Sequence, residues 1–284
     1  MSLTLPGPLA TTQWLSDNLM NEEIRIVDFS YFLEQSQNGL ILRSEKAQWE
    51  KGHIPGSIYI DLADELSDKS SSIRFMMPPQ DQFEKIMSEK GIGNNNTVVV
   101  YDRWKTTWAS RLRLMFLSFG FNNAAILDGG WTKWIKEDRN VSAASEHQNR
   151  AVFHAVKNSS RIFTDKKDVQ KAIEDGSAVI INALEKPDYM EGHIPESINI
   201  PSSMLIDEET NCFLSADTLK EIYEKAGINK EDRIITYCGG GIAASCLATA
   251  LMLAGYNNVS VYDGSMAEWT SDPDLPIVKG ENKR

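Results

Sequence analysis

The stretch Ile234-Ile235-Thr236-Tyr237-Cys238-Gly239-Gly240-Gly241-Ile242-Ala243-Ala244-Ser245-Cys246-Leu247 decides the fold. Its first four residues are apolar or β-branched and read as a buried strand. The residues from Ala243 to Ala254 read as a helix stopped at Gly255. Three glycines join the two. A strand feeding through a tight turn into a helix is the building unit of a parallel sheet with helices on its faces. The same junction puts one thiol, Cys238, at a strand end and at the mouth of a helix. There the first N–H groups lack intrahelical acceptors and the helix dipole is positive, so an anion is favoured. A cysteine so placed is expected to act as a thiolate. Glycines let neighbouring N–H groups converge on one point, a use that simple packing of a small apolar cysteine would not require.

Working outward, the chain repeats itself. Gly52-His53-Ile54-Pro55-Gly56-Ser57-Ile58 returns as Gly192-His193-Ile194-Pro195-Glu196-Ser197-Ile198. Val98-Val99-Val100-Tyr101-Asp102 returns as the strand that ends at Cys238, with Asp102 opposite the cysteine. Gly120-Phe121-Asn122-Asn123 returns as Gly255-Tyr256-Asn257-Asn258, and Leu127-Asp128-Gly129-Gly130-Trp131 as Tyr262-Asp263-Gly264-Ser265-Met266. Four segments repeated in the same order mean one duplicated domain, and a period this long excludes a solenoid. The expected organisation is a first domain over 1–138, a linker over 139–160 and a second domain over 161–284. Within the second copy, strands are expected at Ala178–Ile181, Ile234–Tyr237 and Val259–Tyr262, and a helix at Leu219–Ala226. Apolar strands spaced by helices give an α/β class.

Composition narrows the function. The chain has 284 residues and a net charge of −11, with 40 acidic and 29 basic residues. An acidic chain without a basic stripe argues against nucleic acid or an anionic membrane surface as main partner. The three cysteines, Cys212, Cys238 and Cys246, fit neither a zinc site nor a disulfide framework, which points to a reducing, cytoplasmic compartment. No cofactor or metal is expected. The start of the chain has no basic and long apolar leader, and no stretch is long enough to span a bilayer.

These segments together resemble the two-domain rhodanese family of thiosulfate and 3-mercaptopyruvate sulfurtransferases. The resemblance covers nearly the whole chain. It implies two tandem rhodanese-like domains, each a five-stranded parallel sheet flanked by helices, with an inactive first copy in which Asp102 replaces the cysteine. It implies Cys238 as the catalytic nucleophile, which takes sulfane sulfur as a persulfide and passes it to cyanide, a small thiol or a reduced protein thiol. Gly239, Gly240, Gly241, Ile242 and Ala243 form the expected persulfide-binding loop. Tyr31, Arg74 and Trp108 are candidates to line the donor cleft, and Arg103 and Lys105 are further candidate cations.

The donor is left open between thiosulfate and 3-mercaptopyruvate. The loop has no basic residue to hold a dianion. Against the Gly-Ser-Gly-Val-Thr loop of the mercaptopyruvate type, Gly240 and Ala243 lack two hydroxyls. Asn182, Leu184 and Asp188 depart from the Asp-x-Arg pattern of the family. A phosphatase would need an arginine at Ala244 to fork onto phosphate. A persulfide carrier or binding module in a sulfur relay is the alternative to a turnover enzyme. His53 and His193, present in both copies, are read as turn-capping residues and not as general bases. Cys246 is expected inside its helix, too far from Cys238 for a disulfide.

Overall fold

A computed structural model describes residues 4–36, 39–145, 147–156 and 161–281. The first repeat supplies strands β1 (Leu9–Ala10), β2 (Ile24–Asp28), β3 (Tyr31–Ser36), β4 (Gly39–Ser44), β5 (Ser57–Tyr59), β6 (Thr97–Tyr101) and β7 (Ala124–Leu127). Five of them form a parallel sheet in the order β1-β7-β6-β2-β5, while β3 and β4 pair as a separate antiparallel hairpin. The second repeat supplies β8 (Phe163–Thr164), β9 (Val179–Asn182), β10 (Ile198–Asn199), β11 (Ile234–Tyr237) and β12 (Val259–Tyr262). Their order, β10-β9-β11-β12-β8, repeats that of the first sheet strand for strand. Each domain is thus a five-stranded parallel sheet flanked by helices.

The central strands are buried along their whole length, which is why they read as unbroken apolar runs. Behind β11 the helix Ile242–Leu253 is almost wholly buried, so it shows no polar face in sequence. Its counterpart behind β6 is Thr107–Ser118. Ile235 and Tyr237 pack with Val169, Ile194, Tyr262 and Trp269 in the core of the second sheet. Val99, Tyr101, Ile54 and Trp134 do the same in the first.

The chain divides into two compact units. Unit one holds residues 1–67, 78–158 and 208–212; unit two holds residues 68–77, 159–207 and 213–284. Asp68–Met77 comes from the first repeat but belongs to unit two. Glu208–Cys212 comes from the second repeat but belongs to unit one. The two segments begin 140 residues apart, the same offset that relates His53 to His193.

Of the expected linker, Glu146 and residues 157–160 lie outside the described residues. The preceding stretch is tied to unit one. The N–H groups of Ala151 and Val156 donate to the carbonyls of Ser88 and Phe119, and Phe153 is buried among Phe83, Phe116 and Phe121.

Candidate active site

Strand β11 ends at Tyr237, and Cys238 is the next residue, 2% exposed. Three contacts fix its main chain. The Cys238 N–H donates to Ser265 Oγ at 3.1 Å, and Ser265 in turn donates to the Tyr262 carbonyl at 2.8 Å. The carbonyls of Cys238 and Gly239 accept the N–H groups of Met266 and Ala267, each at 2.9 Å. In a trans peptide the N–H points opposite to the carbonyl. With both carbonyls held by the helix Ser265–Trp269, the N–H groups of Gly239 and Gly240 are turned away from that helix. The helix Ile242–Leu253 begins just beyond, and no side chain caps it. Its first N–H groups therefore have no acceptor within the helix. These are the N–H groups on which the sequence placed an expected anion cradle.

The three glycines are not equivalent. Only Gly241 has a left-handed backbone, with φ of 79°. A Cβ at Gly239 would meet open space, and one at Gly240 would lie 3.9 Å from Phe75 Cδ2. Gly241 therefore makes the turn, whereas Gly239 and Gly240 leave room above the loop. Ile242 is buried and Ala243 half-buried in the first turn of the helix. Ser245 closes the loop from below by donating to the Gly241 carbonyl at 2.6 Å.

The first repeat holds a similar arrangement with a carboxyl group as the acceptor. Asp102 follows β6 as Cys238 follows β11, and its carbonyl accepts the Trp131 N–H as that of Cys238 accepts Met266. Its carboxylate takes the N–H groups of Trp104 and Ala109, both at 2.7 Å. Fully buried, the carboxyl is pushed up to about 7, chiefly by desolvation and against the pull of these amides. The first loop is one residue longer: Thr106 precedes its helix four positions after Asp102, whereas Gly241 stands three after Cys238.

Both histidines hold turns. His53 Nδ1 lies 2.7 Å from the Trp49 carbonyl and its ring stacks on Trp49, while its main chain bridges to Ser142. His193 Nδ1 lies 2.9 Å from the Tyr189 carbonyl, stacks on Tyr189 and bridges to Val278. The strand ends are tied to these turns by tyrosines. Tyr237 Oη accepts the Ile194 N–H at 3.0 Å and meets Ser197 Oγ at 2.7 Å; Tyr101 does the same with Ile54 and Ser57.

The other sequence candidates fall as follows. Arg74 is exposed on Asp68–Met77, in the same unit as Cys238, and no described residue pairs with it. Arg103 is engaged within unit one by Asp28, the Gly52 carbonyl and the face of Trp131. Lys105 is exposed in unit one. Tyr31 and Trp108 are buried in unit one with ring centroids 5.5 Å apart, and Tyr31 donates to Asp61. Leu184 donates its N–H to Asn182 Oδ1, and Asp188 is exposed. All three cysteines are free. Cys246 is buried in its helix, and Cys212 lies in a loop where Lys133 Nζ approaches it at 3.2 Å.

Two residues beside the loop were not singled out from sequence. Phe75 carries no recognisable pattern, and only the position of its segment in unit two brings it to Gly240. Ser265 had a trace in sequence, since it stands where the first copy has Gly130.

Comparison with known proteins places the chain in a family. A thiosulfate/3-mercaptopyruvate sulfurtransferase of Arabidopsis thaliana is 31% identical, over 95% of this chain and 86% of its own. A 3-mercaptopyruvate sulfurtransferase of Escherichia coli is 29% identical over 93% of this chain and 95% of its own. The crystal structure of the Escherichia coli 3-mercaptopyruvate sulfotransferase SseA superimposes with a TM-score of 0.83 at 27% identity, covering 91% of this chain and 98% of that one. The rhodanese-like domain model matches residues 11–137 and again 165–272, so the chain belongs to the rhodanese-like family, with two copies of its domain in tandem.

Proposed function

We propose that the chain is a sulfurtransferase that moves sulfane sulfur from thiosulfate or 3-mercaptopyruvate to a thiophilic acceptor through a persulfide on Cys238. The observation that carries this reading is internal to the molecule. The loop after β6 already turns two main-chain N–H groups, those of Trp104 and Ala109, onto one acceptor, the Asp102 carboxyl group. The loop after β11 has the same clamp on its carbonyls and presents a thiol in place of that carboxyl group.

The chemistry is two displacements. With thiosulfate, the Cys238 thiolate attacks the outer sulfur, the donor S–S bond breaks, and sulfite leaves with the electron pair. The product, Cys238-S-S⁻, carries its negative charge on the terminal sulfur, where the N–H groups of Gly239 and Gly240 and of the Ile242–Ala243 turn can receive it. Cyanide or a thiolate then attacks that terminal sulfur and the thiolate of Cys238 is restored, a ping-pong course. Arg74, exposed and unpaired among the described residues, is the proposed contact for an anionic donor. Tyr31 and Trp108 are proposed as aromatic walls of the donor cleft. The acceptor is proposed to be a small thiophile or a reduced protein thiol.

Three free cysteines suit a reducing compartment, and the cytoplasm is the one we propose. No helix among the described residues is long and apolar enough to cross a membrane. The test is formation of thiocyanate from either donor and cyanide. It is paired with mass spectrometry of the donor-treated protein, where one added sulfur on Cys238 is expected. Sulfur loading without turnover would instead assign the chain to a relay as a carrier.

A further inference from the structure

Phe75 is held beside the nucleophile's loop in an uncommon way. Its backbone is left-handed, with φ of 63°, a conformation that aromatic residues rarely adopt. It is kept there by its neighbours: the Met77 N–H donates to Asp263 Oδ2 at 2.8 Å, and the Met76 carbonyl accepts the Asp68 N–H at 3.0 Å. Asp263 belongs to the turn that also carries Ser265, the residue bonded to the Cys238 N–H. The Phe75 ring, 7% exposed, faces Gly240 at van der Waals distance from where a Cβ would stand. A strained residue pinned against a reactive loop is a candidate for function.

Three side-chain hydroxyls beside this loop are committed. Ser265 donates to the Tyr262 carbonyl, Ser245 to that of Gly241, and Thr236 to that of Ala244. Asp263 receives the Met77 amide. Gly240 and Ala243 bring no hydroxyl, and Phe75 adds only an apolar face.

Donors differ in what they ask of such a place. When thiosulfate gives up its outer sulfur, the S–S bond breaks and sulfite departs as a stable anion, with no proton required. When 3-mercaptopyruvate gives up sulfur, a C–S bond breaks and the electron pair goes to carbon, which must take a proton to become the methyl group of pyruvate. General acid help at that carbon is worth roughly 10²–10⁴-fold.

We propose that Phe75, in contact distance of Gly240, is the donor-selecting residue of the Cys238 loop, lining that side with an apolar ring so that the loop favours sulfane donors with an S–S bond over thiols that must break a C–S bond. The proposal rests on sulfur transfer at Cys238. The test compares kcat/KM for thiosulfate and 3-mercaptopyruvate in the full-length protein, in Phe75→Ala and in Gly240→Ser, with cyanide as acceptor. The wild type is expected to prefer thiosulfate by about tenfold or more. Phe75→Ala, which replaces the ring beside Gly240 with space for water, and Gly240→Ser, which adds a hydroxyl where there is room, are each expected to lower that preference by about fivefold or more. A wild-type preference below this, or a ratio unmoved in a Phe75→Ala or Gly240→Ser protein with an unchanged melting curve, overturns the proposal. If neither donor is turned over and no sulfur is found on Cys238, sulfur transfer itself fails and the selectivity with it. If Cys238 is loaded but 3-mercaptopyruvate is the better donor, only the role of Phe75 is refuted.

Discussion

Asp102 and Ala109 are joined by a hydrogen bond of 2.7 Å from the Ala109 N–H to the buried carboxylate, which makes the aspartate the permanent occupant of its own helix mouth. The carboxyl is held near 7 by burial, against an ordinary value of 3.8. Between those values the folded protein keeps a proton that the unfolded chain has released. The stability this gives is fully present below about pH 4 and is lost as pH rises through 7. Asp102→Asn removes the titration. The wild type should therefore lose stability relative to the variant between pH 5 and pH 8, on the order of 2–3 kcal/mol. Urea unfolding at the two pH values measures it, and a pH-independent difference would refute the assignment.

Cys238→Ser should remove turnover by roughly 10³-fold or more, because a hydroxyl cannot take up and pass on sulfane sulfur. The melting temperature should stay close to that of the wild type. Cys246→Ser should behave oppositely. It buries a hydroxyl in an apolar helix face and should cost about 1–3 kcal/mol while kcat of the folded protein is kept. Activity retained in the first variant, or lost in the second without unfolding, contradicts these roles.

The glycines of the loop should separate cleanly. Gly241→Ala places a Cβ at φ of 79° and should cost about 1–2 kcal/mol. Gly239→Ala meets open space and should stay within about 0.5 kcal/mol of the wild type. Denaturation midpoints of the two variants check the order. Equal effects would mean that the turn does not depend on Gly241.

His193→Ala should act on stability and leave chemistry alone. The ring is buried, stacked on Tyr189 and close to its carbonyl, so its loss should cost about 2–4 kcal/mol. A pH–rate profile of the surviving folded protein should match that of the wild type. A lost ionisation in that profile would make the histidine a participant in the reaction.

Much of this molecule is legible in its sequence because the relevant forces are local. Strands β11 and β12 begin and end where the apolar and β-branched runs do, and the one hydroxyl in each, Thr236 and Ser260, donates to a main-chain carbonyl so that it can be buried. Gly255, with φ of 86°, ends its helix where the glycine stands. Cys238 could be picked out because a strand end, a glycine turn and a helix start are contiguous in the chain. The hairpin of β3 and β4 was not read, although the sequence carries an Asn-Gly pair at 38–39, a known hairpin signal. Phe75 was missed for a different reason. Its meaning comes from a neighbour, Gly240, far away in the chain, and no periodicity reports a contact of that range. The extra residue in the first loop left only a one-residue change of offset between the repeats, from 136 at Asp102 to 135 at Gly120.

The crossing-over of Asp68–Met77 and Glu208–Cys212 has a consequence for the history of the chain. A gene cut at residue 160 would yield two proteins, each missing a strip of its own surface. The fragment with the thiol would leave the Asp263 carboxylate without the Met77 amide and Gly240 without a ring beside it. Scission at that point would therefore not restore the two ancestral domains, because each repeat contributes a segment to the other's unit.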